Sequence, residues 1–207
     1  GKNFAGKVLV WVHPDGVSSL WKDGQPVPAA LKWLEADGGI LAVECLRTGA
    51  SADAKKFPIG NAFSGYTFGY NRSLLANRVH DILTAVSFAR FGKAKSIHLV
   101  GFDKAGPWVV LARGLCGDAV QRTAADLNQF RFEQIKSFDD EMMLPGALKY
   151  GGLPVFAALC APGELYLHNA SGTGSNSVLS AAYGSTGALQ RHDDKKSPGD
   201  VAAWLVR

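Results

Sequence analysis

Short, unbroken apolar runs alternate along the chain with segments of helical periodicity. This alternation limits the fold more than any other feature of the sequence. Residues 7–12 (KVLVWV), 40–43 (ILAV), 96–100 (SIHLV) and 164–168 (ELYLH) are each too short for a core helix, and each is bounded by turn residues. Together with 120–127 and 188–192 they predict strands, several of them buried on both faces. Between them, 28–36, 73–91, 107–116, 177–183 and 198–206 predict helices. The clearest is 73–91, where Leu75, Val79, Ile82, Leu83 and Val86 recur at helical spacing and Gly92 closes the run. Gly38-Gly39 is expected to end the helix that begins at Pro28. Residues 48–71 read as one long glycine-rich loop carrying Phe57, Phe63, Tyr66, Phe68 and Tyr70, which either wall a ligand pocket or pack over the core. The fold class is therefore α/β, a mostly parallel sheet with helices on both faces. In 207 residues it is expected as a single domain.

Composition narrows the function classes. A net charge of +4 comes from scattered basic residues, so no nucleic-acid partner is expected. No apolar run is long enough to cross a membrane as a helix. Cys45, Cys116 and Cys160 are an odd set, widely spaced in apolar surroundings. They read as small buried side chains, not as a disulfide framework or a metal site. No cofactor and no metal is expected.

In a parallel sheet, ligands bind at the carboxyl ends of the strands. The residues there are His13 to Gly16, Cys45 to Thr48, Gly101 to Gly106, Asp126 to Asn128, His168 to Ser171, and His192 to Asp194. One segment stands out. Ile97-His98-Leu99-Val100-Gly101-Phe102-Asp103-Lys104-Ala105-Gly106 is strand, tight turn, helix, with small residues at Gly101, Ala105 and Gly106. It resembles the nucleophile elbow of α/β-hydrolases, Gly-x-Ser-x-Gly, with Asp103 in the position of the serine.

The resemblance extends along most of the chain. Val8 to Gly16 (VLVWVHPDG) resembles the strand and oxyanion loop of that superfamily. The stretch from Asn71-Arg72 through Arg90, and that from Leu153-Pro154 through His168-Asn169, resemble the acetyl-xylan-esterase-like and dienelactone-hydrolase-like branch. The resemblance implies removal of small acyl groups from carbohydrate, with a small ester or an acylated carbohydrate as partner. It also implies strands before residue 7, so the chain is expected to be the C-terminal part of a longer protein. An N-terminal domain or a second chain is then a further expected partner.

The departures from the pattern bear on activity. An aspartate replaces the serine, no carboxylate follows residues 164–168, and no other serine stands where it would restore a triad. Asp103 has two roles open to it. As a nucleophile it would use His192 to activate water and Asp126 to orient that histidine, as in the dehalogenases and epoxide hydrolases of the superfamily. Those enzymes carry a tryptophan beside the nucleophile, where this chain has Lys104. As a helix N-cap it would contribute about 1 kcal/mol to the turn and no chemistry. His13, Asp15, Gly16, Lys104 and His168 are the candidates for oxyanion or substrate contact. His13 and His168 also read as structural histidines at strand ends. The leading expectation is an esterase-like domain with an altered centre. The alternatives are an active hydrolase built on Asp103 and a non-catalytic interaction lobe of a larger protein.

Overall fold

Strand β1 (Lys7–Val12) has apolar residues on both of its faces and lies inside a six-stranded sheet. The other strands are β4 (Gly38–Val43), β5 (Ser96–Gly101), β6 (Arg122–Asp126), β7 (Glu164–His168) and β8 (Leu189–Arg191). The computed structural model describes residues 4–53, 58–173 and 177–207. The sheet order is β4-β1-β5-β6-β7-β8, and every pairing is parallel. Parallel strands require crossovers, and helices supply them: α1 (Pro28–Glu35), α3 (Leu74–Phe91), α4 (Gly106–Arg113), α5 (Gly152–Ala158) and α6 (Ser177–Tyr183), while α7 (Pro198–Leu205) follows the last strand and packs beside α1.

Side-chain alternation in β1 divides the core into two. Val10 and Val12 join Leu75, Val79 and Ile82 of α3 and Val109 of α4 on one face of the sheet. Leu9 and Trp11 join Trp33 of α1 and Trp204 of α7 on the other. Helix α3 starts where its sequence predicts, because the Ser73 hydroxyl accepts the Ala76 amide at 3.2 Å.

Two local expectations are corrected. Residues 48–71 are not all loop: α2 (Ser64–Tyr70) lies within them, and its Phe68 ring packs 6.3 Å from Phe138. Two glycines in seven residues had hidden that helix. Phe57 lies outside the described residues. Gly38 and Gly39 belong to β4 and do not end the preceding helix. Gly38 passes directly beneath Trp33, where a Cβ would meet the indole nitrogen at 2.2 Å. The loop through Gly24 holds a small hairpin of β2 (Trp21–Lys22) and β3 (Gln25–Pro26). Asp23 and Gly24 turn it, both at positive φ, as a two-residue Asp-Gly hairpin requires. The three cysteines are free, and Cys45 and Cys160 are buried.

Candidate functional site

The turn after β5 is a sharp elbow. Its closeness to the sheet comes from two glycines. A Cβ on Gly106 would stand 1.7 Å from the Asp126 carbonyl oxygen, and one on Gly101 would stand 2.8 Å from that of Ala105. Only backbone without side chains can pass at these positions. The residue between them, Asp103, has φ 48°, a left-handed conformation that costs about 1–2 kcal/mol for most L-residues. That geometry lifts its carboxylate out of the turn, and the side chain is 44% exposed.

Asp103 does not cap the helix. Phe102 is the N-cap of the turn, and no side-chain capping bond is made. The carboxylate instead takes the Lys195 ammonium at 2.5 Å on Oδ1 and faces His13 Nε2 at 3.4 Å on Oδ2. Lys195 Nζ also lies 3.4 Å from Asp126 Oδ2. Asp126, 1% exposed, ends β6 and accepts the Asn128 amide and the Asn169 side-chain amide through Oδ1, both at 2.8 Å. One ammonium thus bridges two carboxylates. Its hydrogen bond to Asp103 is the largest influence holding the lysine pKa above its ordinary value.

The two nearer histidines are oriented by backbone. His13 Nδ1 accepts the Asp15 amide at 3.0 Å, which places the neutral ring's proton on Nε2, toward Asp103. His168 is buried at the end of β7, where its Nδ1 accepts the Lys196 amide at 3.2 Å. Its Nε2 then carries the proton and has no hydrogen-bond partner among the described residues. Burial lowers the His168 pKa, and Lys195 and His192 push the same way against Asp126 and Asp103. The net effect favours the neutral ring.

His192 takes a different position. It follows β8, its amide donates to the Leu167 carbonyl, and its ring lies 4.9 Å from that of Tyr166. No hydrogen bond or ion pair joins it to Asp103 or Asp126 among the described residues, and its Nε2 is buried without a partner. The structure therefore gathers Asp103, Asp126, His13 and His168 around one cleft, whose lining does not include the neighbouring His192.

The loop after β1 spends its amides on itself. The Gly16 amide donates to the His13 carbonyl at 2.9 Å, and the Asp15 amide to His13 Nδ1. The Val17 amide goes to Glu44 Oε2 at 2.8 Å, while Glu44 Oε1 accepts the Ala50 amide at 2.7 Å. Gly16 and Gly49, both at positive φ, leave room for the Glu44 carboxylate, since a Cβ on either would come within 2.1 Å of it. Asp15 and Gly16 thus form a braced turn and not an open pair of donors.

Lys104 points away from the other site residues and pairs with Glu141 at 3.2 Å. Glu141 also receives the buried Arg78 guanidinium at 3.0 Å, which lies over the Trp108 ring. Burial raises the Glu141 carboxyl pKa, but Arg78 and Lys104 more than offset this and hold it below its ordinary value.

Asp103, Asp126, His168 and Lys195 line the polar side of a cleft of about 370 Å³. Trp11, Phe102, Val27 and Pro28 form its apolar wall. The sequence reading missed Lys195 and Glu44, and it included Asn169 in the segment His168 to Ser171 without giving it a role. Lys195 was close at hand, one residue beyond the segment singled out after the last strand. No pattern in the sequence marks Glu44 or pairs Asn169 with Asp126, because their partners lie in distant segments. No group of His, Cys, Asp and Glu that could hold a metal occurs among the described residues.

Among solved structures the chain is similar to a CE15 glucuronoyl esterase from Teredinibacter turnerae T7901, with a TM-score of 0.60 and 12% sequence identity. The match covers 100% of this chain and 66% of that esterase, so the chain spans about two thirds of its length. The shared architecture is an α/β fold with a mostly parallel sheet. At this identity the likeness is one of fold. No family model matches the sequence, and no curated protein matches it.

Proposed function

We propose that this is a carbohydrate-esterase-like α/β-hydrolase domain whose altered centre binds a small acylated carbohydrate without hydrolysing it. The observation that carries this reading is the Lys195 bridge between Asp103 and Asp126. A carboxylate paired at 2.5 Å with an ammonium has one oxygen engaged and its negative charge balanced, so its nucleophilicity is lowered. Hydrolysis also needs a base for water. His13 presents its N–H to Asp103, the free nitrogen lone pair of His168 is spent on the Lys196 amide, and His192 lies against Tyr166. The cleft nevertheless suits a sugar ester. Trp11 and Phe102 line its apolar wall, and the half-exposed Lys195 and Asp103 side chains offer polar contacts. The fold it shares with an enzyme named as a glucuronoyl esterase supports the same ligand class.

A second reading keeps Asp103 as an active nucleophile, and the left-handed elbow that projects its carboxylate favours it. In that reading the loop at 192–196 withdraws Lys195 and brings His192 toward Asp126. Hydrolysis of a short-chain aryl acetate, measured beside Asp103→Asn, separates the two. No turnover above buffer is expected, while calorimetry with acetylated xylobiose is expected to show binding that Lys195→Met changes. Turnover abolished by Asp103→Asn overturns the binding reading in favour of the second.

A further inference from the structure

Helix α2 and the residue before it carry three aromatic side chains on the outside. Tyr66 and Tyr70 are one turn apart, Phe63 precedes Tyr66 by three residues, and the three are 71%, 87% and 67% exposed. Phe68 points the other way, toward Phe138. Leaving three large rings in water is unfavourable unless something covers them. The residues beside the rings are equally unusual. Gly65 and Gly69 each cost a helix about 1 kcal/mol relative to alanine, yet a Cβ at either would meet nothing within 4 Å. No packing requirement explains them. Their effect is to clear the surface next to Tyr66 and Tyr70, so that a flat ligand can lie against the rings.

The charge pattern selects the kind of ligand. Residues 58–71 contain no charged side chain, and the basic residues that border them in sequence are few, Lys55 and Lys56 before and Arg72 after. Nucleic acid would call for cations, and an interfacial lipid helix for basic residues along its polar face. The surface suits a neutral polymer with alternating apolar faces and hydroxyl groups. Its position also connects it to the cleft. The Ile59 amide bonds to Asp139, and α2 packs through Phe68 on Phe138. Asp139 and Glu141 line a groove whose other wall includes Lys104, the neighbour of Asp103 on the elbow. Lys104 of the elbow and Asp139, which holds the Ile59 amide ahead of the aromatic helix, thus line the same groove.

We propose that Phe63, Tyr66 and Tyr70 form a stacking platform for successive sugar rings of a glycan chain, one acylated residue of which occupies the cleft. The proposal rests on the carbohydrate reading of that cleft. The test compares a polymer with a short ligand. Native electrophoresis through gels containing soluble acetylated xylan reads polymer binding, and calorimetry with acetylated xylobiose reads the cleft. Acetylated xylan is expected to retard the wild-type chain. Tyr66→Ala/Tyr70→Ala is expected to weaken that retardation about tenfold and leave xylobiose affinity unchanged. Tyr66→Leu/Tyr70→Leu, which keeps apolar area but removes the flat rings, is expected to behave the same way. Phe91→Ala, at an equally exposed aromatic on α3, is expected to have no effect.

Retardation that survives both tyrosine double variants overturns the platform, as does equal loss in Phe91→Ala. So does capture of the wild type, but not of the alanine variant, by phosphatidylcholine vesicles, which would assign the rings to a lipid surface. If xylobiose binds but the polymer binds no more tightly, the platform alone falls. If neither binds, the cleft reading falls with it.

Discussion

Replacing Gly106 by alanine probes the contact on which the whole site depends. The added Cβ would lie 1.7 Å from the Asp126 carbonyl oxygen, 2.4 Å from its carbon and 2.9 Å from its nitrogen. Bringing the first distance to 3.0 Å requires a displacement of about 1.3 Å. Neither side yields easily. Asp126 is held in β6 between two parallel neighbours, with its own register partner at His168. Gly106 opens α4, which buries Trp108, Val109 and Val110 in the turn that follows. Overpacking a core costs about 1–3 kcal/mol, and here the obstacle is backbone and not a mobile side chain, so about 3 kcal/mol is expected. For a chain of this size that corresponds to a fall of about 6–12 °C in Tm. Urea unfolding followed by tryptophan fluorescence and circular dichroism measures the loss directly. A change under about 0.5 kcal/mol would refute the close approach of the elbow to β6, and with it the placement of Asp103 beside Asp126.

Gly65→Ala, by contrast, adds a methyl group in open space within a helix and is expected to stabilise the chain by about 0.5–1 kcal/mol in the same assay. Arg78→Met removes a buried guanidinium that donates to the Leu46 and Arg47 carbonyls and to Glu141. A loss of about 3 kcal/mol is expected, together with a rise in the Glu141 pKa measurable by NMR titration. Burial, aided by Arg122 and Lys7, lowers the His98 pKa to about 4, so the native state holds this ring neutral where the unfolded chain protonates it. Its contribution to stability is complete above about pH 6.5 and is lost as the pH falls toward 4, at up to about 1.4 kcal/mol per pH unit. His168, shifted in the same direction, adds to this slope. His98→Phe, which keeps a ring beside Trp33, is expected to flatten the acid limb of a stability–pH curve.

Most of the sheet was legible in the sequence because its signals are local. Apolar runs bounded by glycine and proline mark β1, β5 and β7 within a residue or so, and Ser73 and Gly92 bracket α3 as written. Helix α2 was not legible, because Gly65 and Gly69 oppose a helix there and the packing of Phe68 on Phe138 comes from a distant segment. Gly38 and Gly39 looked like a helix stop, and the reason they are a strand is Trp33, whose indole fills the space above them.

The site divides along the same line. The spacing of Gly101, Asp103 and Gly106 is a local pattern, so the sequence by itself determined that β5 ends in an elbow with a carboxylate at its apex. Which partners that carboxylate meets is set by how five strand ends and their loops converge, over separations of up to 92 residues. Tertiary structure alone decided that Lys195 reaches Asp103, that Asn169 rather than His192 bonds to Asp126, and that Glu44 occupies the loop amides beyond β1. Backbone pattern is written in neighbouring residues, whereas charge pairing follows distance in space, which one-dimensional spacing does not encode.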